Sequence, residues 1–204
     1  MAFRNAEPSI QTIGLTGGLA SGKSTVAGLL REAGFEVVDA DRLVADLYRP
    51  EGAGADAVRE LFGAEALTAE GAVNHPVVAA RVFADEAARH ALEARIHPLV
   101  RDGFRRIAEQ ATGPVVLEAT LLVEAGFAED FDTVITVEAD PEVRLRRAIA
   151  RGLPEAAARA RLRAQGTGEE RRAAADRVID NCGTLEDLKQ RVRELVAELR
   201  GAAG

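Results

Sequence analysis

Two rhythms of apolar residues alternate along the chain. Ile10–Thr16 is a short, mostly apolar run with β-branched residues, broken by Gly17-Gly18. Such a run predicts a strand buried on both faces of a parallel sheet. Val26, Leu29, Leu30 and Ala33 then recur at helical spacing, which predicts a helix starting near Gly22 and stopped by Gly34. Phe35–Asp39 reads as a second strand with an acidic end, and Val115-Val116-Leu117 and Thr133–Val137 as the next two. Pro141 opens a helix at a favoured first position, and Val178-Ile179 is a brief last strand. Leu185, Leu188, Val192, Leu195, Val196 and Leu199 form one stripe of a final helix. That stripe predicts packing on the domain, with a short coiled-coil dimer as the alternative.

Two stretches break the alternation. From about Arg42 to Ile107 the chain turns to Ala- and Arg-rich helical segments interrupted by Pro50, Gly52, Gly63 and Pro76, a helical insertion outside the sheet. Gly152 to about Ala175 is dense in Arg and Glu with few large apolar residues, which predicts an exposed helical hairpin. Strands alternating with crossover helices make an α/β, three-layer parallel sheet. A single domain is expected, with its core over about 10–41, 108–151 and 176–200, the insertion over about 42–107 and a lid over about 152–175.

Composition narrows the class. With 204 residues the chain is long enough for one α/β core, and 47% hydrophobic with 29% charged residues excludes a disordered or fibrous chain. A formal net charge of -7 disfavours nonspecific binding to nucleic acid or anionic membrane, so any phosphate site must be locally positive. One cysteine, Cys182, excludes an intramolecular disulfide, suits a reducing compartment and leaves no cluster for a structural zinc. No apolar run reaches the length of a membrane span. Met1–Ser9 lacks the apolar stretch of a secretory signal and reads as a short, mobile extension. A cytoplasmic protein is expected.

Gly17-Gly18-Leu19-Ala20-Ser21-Gly22-Lys23-Ser24 matches G-x-x-x-x-G-K-[ST] between a predicted strand and a predicted helix. The glycines let backbone N–H groups turn inward to anionic oxygens, and the helix that follows adds its positive end. Lys23 is expected on the β/γ-phosphates and Ser24 on Mg²⁺. A chance lysine is a poor alternative, since Lys23 is one of only two lysines, with Lys189, in a chain that otherwise uses Arg. Guanine recognition normally needs Asn-Lys-x-Asp, and neither lysine follows an asparagine, so a GTPase is not expected. Size, insertion and an Arg-rich late segment suit a small-molecule kinase.

Beyond the loop, the chain resembles the dephospho-CoA kinase family. The resemblance rests on Thr16–Thr25, Val38-Asp39-Ala40-Asp41, Ile96-His97-Pro98-Leu99-Val100, Leu121-Leu122-Val123-Glu124, Gln165 and Ala175–Asn181, in the family's order over about residues 10–183. It implies phosphorylation of the ribose 3′-hydroxyl of dephospho-CoA by ATP with Mg²⁺, the last step of coenzyme A synthesis. It implies that Gly18, Ala20, Ser21, Gly22, Lys23, Ser24 and Thr25 hold ATP, with Arg147 and Asn181. Asp41, Arg81, His97, Glu118 and Arg161 fall on the acceptor side, and Lys23, Asp41 and Arg147 are the catalytic set. Departures are Thr120 where proline is common, Glu118 for aspartate, Val123 for phenylalanine, and Asn74-His75 for Asp-Arg.

Each assignment has a plainer reading. Asp39 and Asp41 lie two apart at a strand's C-terminal end, where ligands bind in open α/β sheets, and an extended segment would point both one way. Asp41 then orients or deprotonates the acceptor hydroxyl, or caps a helix starting near Arg42, or does both. Glu118, at the end of the third strand, organises Mg²⁺ or its waters, or is merely solvated. Arg144, Arg147 and Arg151 share a helical face, with Arg161 and Arg163 beyond. The family favours Arg147, Arg151 and Arg161, while Glu142, Glu155, Glu169 and Glu170 offer most arginines surface pairs. His97 reads equally as a structural hydrogen-bonder, and Asn181 as an adenine contact or a turn cap before Gly183. A nucleoside monophosphate or sugar kinase, and a nucleotide-binding regulator without turnover, are the competing functions.

Overall fold

A computed structural model of the chain describes residues 10–202; the Met1–Ser9 extension expected above lies outside them. The chain forms two compact units, one from the segments up to Val38 and from Gln110 onward, the other spanning Asp39–Glu109.

The first is the sheet unit. Its strands are β1 (Thr12–Thr16), β2 (Glu36–Asp39), β3 (Val115–Glu118), β4 (Thr133–Glu138) and β5 (Arg177–Asp180), in the order β2-β3-β1-β4-β5. Parallel ladders join β1 to β3, β1 to β4 and β4 to β5. β1 is central because it is buried throughout, and its alternate residues serve opposite faces. Ile13 and Leu15 join Val116, Ile135, Val137 and Ile179 under α1 (Lys23–Glu32) and the last helix. On the other face, Leu122 and Phe131 press so close to Gly14 that a Cβ there would lie 2.9 Å from each.

The last helix buries Leu188, Val192, Leu195, Val196 and Leu199 in the same core, so its stripe is satisfied within the unit. Leu185 is the exception at 57% exposed. It is the first helical residue, following a Thr184–Asp187 capping box in which each residue's side chain accepts the other's N–H.

Three helices complete this unit: α6 (Pro141–Ala150), α7 (Glu155–Ala164) and α8 (Glu169–Ala174), with the Leu185–Ala202 helix as α9. The Gly152–Ala175 region is therefore helical, but it is not the exposed hairpin expected, because α7 packs on α6 and α8 on β4. Ala158 of α7 and Arg171 of α8 are buried, the first against Leu145 and Ala148 of α6, the second against carboxylates.

The second unit is helical, with α2 (Ala40–Leu47), α3 (Ala53–Phe62), α4 (His75–Ala84) and α5 (Glu86–Gln110), whose last residue reaches the sheet unit. Ala55, Val58, Phe62, Ala66, Val73 and Val78 form its own core. Pro98 lies inside α5, so the His-Pro pair is helical rather than a break. The expected cap is displaced: Asp39, not Asp41, caps α2, accepting the Asp41 N–H at 2.8 Å. Asp41 sits in the helix's first turn, so the two aspartates do not share an extended segment.

Candidate functional site

β1 ends in the phosphate loop at the crevice where the sheet's connections diverge, β1 leading to β2 on one side and β4 to β5 on the other. The loop closes through Ser21 N–H to Gly18 O at 3.1 Å, and α1 begins with Thr25 and Val26 donating to Gly22 O. Gly22, at φ +106, adopts a left-handed conformation, and any side chain there would collide with the Asn181 amide. Gly18 is covered as closely by the Arg144 guanidinium. Ala20 holds φ +57 without being glycine, and a buried cluster of Leu145, Ala148 and Ala158 keeps it there.

At the mouth of the loop, Lys23 Nζ and Ser24 Oγ both donate to Glu118 Oε1 at 2.9 Å. Glu118 is 6% exposed, so simple solvation at a strand end is overturned. Arg31 adds a second positive group 3.8 Å from its other oxygen. A hydroxyl and a carboxylate this close offer hard oxygens of the kind Mg²⁺ prefers, so the residues present fit that ion.

Behind the loop, Asn181 is buried and donates its amide to Ser21 O at 2.7 Å. Arg147 donates to Asn181 O at 3.0 Å and to Ser21 O at 3.5 Å. Asn181 thus fastens β5 to the loop: its amide nitrogen donates to the Ser21 carbonyl rather than capping a turn before Gly183, and a second amide hydrogen and the side-chain oxygen lie outside that bond. Arg147 is part of the same fastening, with donors to spare.

The shared face of α6 arginines divides sharply. Arg144 is buried and Arg147 half-buried, whereas Arg151 ends the helix exposed. Arg161 is exposed on α7, and the surface pairs expected there are made by Arg159, to Glu155 at 2.9 Å and Glu142 at 4.0 Å.

Sequence reasoning missed a charged cluster. Arg171 Nε donates to Glu138 Oε1 at 2.8 Å and its Nη1 to Glu124 at 2.9 Å, while Thr136 Oγ1 also donates to Glu138. Burial pushes the Arg171 pKa down, but the two carboxylates outweigh it and hold it above the ordinary value. Burial lowers that of Arg144, with Glu138 opposing. The available signal was Glu138 itself, an acid directly following the apolar Thr133–Val137 run as Glu118 follows its own strand.

Three predicted acceptor-side residues belong to the helical unit. Asp41 is exposed at the start of α2. Arg81 of α4 pairs with Glu65 at 2.8 Å, donates to Phe62 O and lies 5.7 Å over the Phe62 ring. His97 is half-buried on α5, and burial lowers its pKa, reinforced by Arg101 and opposed by Glu93. At the departures, His75 packs against Tyr48 with ring centroids 5.6 Å apart, and Thr120 O accepts the Thr16 hydroxyl.

Known proteins resemble the chain along most of its length. The chain is 42% identical to the dephospho-CoA kinase of Cutibacterium acnes over 93% of itself and 85% of that protein. It is 42% identical to that of Anaeromyxobacter dehalogenans, covering 96% and 95%. A solved dephospho-CoA kinase from Campylobacter jejuni superposes with TM-score 0.71 at 26% identity, covering 95% and 98%. A Bacteroides thetaiotaomicron shikimate kinase, 15% identical at TM-score 0.56 over 93% and 98%, shares the fold alone. The family model for dephospho-CoA kinase matches residues 11–187, which include the phosphate loop, the helical unit and the Asn181 fastening, and the chain belongs to the dephospho-CoA kinase family.

Proposed function

We propose that this kinase transfers the γ-phosphoryl group of ATP to the ribose 3′-hydroxyl of dephospho-CoA, yielding coenzyme A and ADP. The observation that carries the reading is the Lys23–Glu118–Ser24 cluster at the mouth of an intact phosphate loop, in a chain of this family. Amides of the loop and of the start of α1 bind the phosphates, apart from those of Leu19, Ser21 and Thr25, which are spent on Gln165, Gly18 and Gly22, and Lys23 exchanges its Glu118 partner for the β/γ-oxygens. Ser24 and Glu118 hold Mg²⁺ or its waters. Held by these two residues, the ion would supply positive charge against the triphosphate. Glu118 thereby serves the metal as well as the acceptor side.

Asp41 receives the 3′-hydroxyl proton as the oxygen attacks in line with the leaving ADP. Its assignment rests on the family's aspartate and on its place directly after β2. Arg81 and His97 are assigned to the acceptor by resemblance, and Arg161 to the closing side of α7. Arg147 contacts ATP through the guanidinium donors not spent on Ser21 and Asn181. A single cysteine supports a cytoplasmic setting, and no helix among the described residues is long and apolar enough to cross a membrane.

Purified protein incubated with ATP, Mg²⁺ and separate acceptors tests the reading. Stoichiometric ADP and coenzyme A from dephospho-CoA are expected. Transfer to AMP or a sugar but not to dephospho-CoA overturns it.

A further inference from the structure

Leu19, at the crown of the phosphate loop, has both backbone polar groups taken by side chains from distant elements. Its N–H donates to Gln165 Oε1 at 2.7 Å, and its carbonyl accepts Arg144 Nε at 2.9 Å. Arg144 Nη2 donates to the same Gln165 oxygen at 3.0 Å, closing a ring of three bonds. Gln165 ends α7, between that helix and a turn in which Gly166 and Gly168 both take positive φ. Its own carbonyl is held by Arg171 Nη1 at 3.2 Å, the arginine locked to Glu138 and Glu124. The crown also rests on α6 and α7 through apolar contact, since Ala20, Leu145, Ala148 and Ala158 form one cluster with Leu19 and Leu162 at its margin.

We propose that Gln165 is a positioning residue that clamps the phosphate loop in its ATP-receiving shape and joins it mechanically to the α7–α8 segment. The ring commits the Leu19 N–H to Gln165 and fixes the two peptide planes that flank Leu19, Gly18–Leu19 through its N–H and Leu19–Ala20 through its carbonyl. A half-buried, charge-assisted acceptor is suited to this, because with the peptide groups on both sides of Leu19 held, neither can rotate without losing a bond. The oxygen of Gln165 does the holding. Its amide nitrogen is not needed, so a carboxylate of the same length keeps the clamp and has Arg144 to pair with.

This rests on the ATP-dependent reading above, but not on the identity of the acceptor. ATP affinity is therefore measured by calorimetry without dephospho-CoA, beside the KM values for each substrate. Gln165→Met preserves length and removes the acceptor oxygen; it is expected to weaken ATP binding roughly ten-fold, raising KM for ATP and not for dephospho-CoA. Gln165→Glu is expected to stay within about three-fold of the parent. Equal ATP affinity in the Met variant and the parent overturns the proposal, and so does a loss in the Glu variant as large as in the Met variant. A separate measurement uses the unaltered protein. Hydrogen exchange of the Leu19 amide is expected to be slowed well below that of an open loop, and exchange at an unprotected rate overturns the clamp whatever the variants do. Failure to phosphorylate dephospho-CoA, with ATP binding intact, counts against the acceptor assignment alone.

Discussion

The Lys23 ammonium lies 2.9 Å from a carboxylate whose side chain is only 7% exposed, so the pair is screened weakly by salt, and in the proposed mechanism a triphosphate would take the carboxylate's place. Removing the ammonium while keeping the stem isolates that charge. Lys23→Met is expected to lower kcat/KM on the order of 10²–10³-fold, the size associated with losing one preorganised charge on a transition state. Steady-state kinetics with saturating acceptor checks it. Under the proposed mechanism Asp41 is expected to behave differently, because it would meet the hydroxyl and not the nucleotide. Asp41→Asn should reduce kcat on the order of 10²–10⁴-fold with ATP affinity nearly unchanged. Unchanged turnover removes Asp41 from the proton-accepting role. Lys23 and Ser24 were legible because their motif is local, and Glu118 because it ends a strand. What Glu118 touches was not legible: its partners lie 94 and 95 residues away.

Among the elements, α8 shows how burial can hide in a polar stretch. It has six residues, Glu-Glu-Arg-Arg-Ala-Ala, with no apolar stripe to read. Its inward residue is Arg171, and what it meets is charge. Arg171→Met is expected to cost about 3–5 kcal/mol in chemical unfolding, because Glu138 is left buried without its cation. Adding Glu138→Leu to that variant should recover much of the loss, since the cost belongs to the orphaned carboxylate and not to the missing bond. A double-mutant cycle measures the difference, and an additive result contradicts the pairing. The strands were legible for the opposite reason. Short β-branched runs such as Thr12–Thr16 declare their burial in their own composition. α9 was legible from its stripe, except for Leu185, which a capping box leaves at the exposed first position.

At the scale of the whole molecule, each unit carries its own core, and the helical unit carries a histidine sensitive to pH. His97 has its folded pKa lowered from 6.5, chiefly by burial, so the neutral form is favoured in the native state. As pH falls below the unfolded value, the unfolded chain binds the proton first and stability is lost; above it the contribution is complete. Glu93 and Arg101 act on the ring in opposite directions and leave the net shift downward. Between pH of about 7.5 and about 5.5, the melting temperature of the parent should therefore fall relative to that of His97→Gln. Parallel melting curves across that range would contradict the assignment. The formal charge of -7 meanwhile means that, in the proposed mechanism, a bound triphosphate would depend on local groups such as Lys23, Arg147 and the loop amides.

By itself the sequence determined the phosphate loop, the alternation of strands and helices, the helical segment after the second strand and the family's ordered blocks. All of these are written in stretches of a few to some twenty residues, where backbone preference, periodicity and motif spacing act. Only the tertiary structure decided how the loop is held. Asn181 reaches Ser21 across 160 residues, Gln165 reaches Leu19 across 146, and Arg144 reaches Leu19 across 125. No local pattern encodes such pairs, because they come into being when the parallel sheet closes and brings the ends of β1, β4 and β5 together. Arg144 and Arg171 look like other surface arginines until that closure buries them, and burial is what turns a common side chain into a clamp.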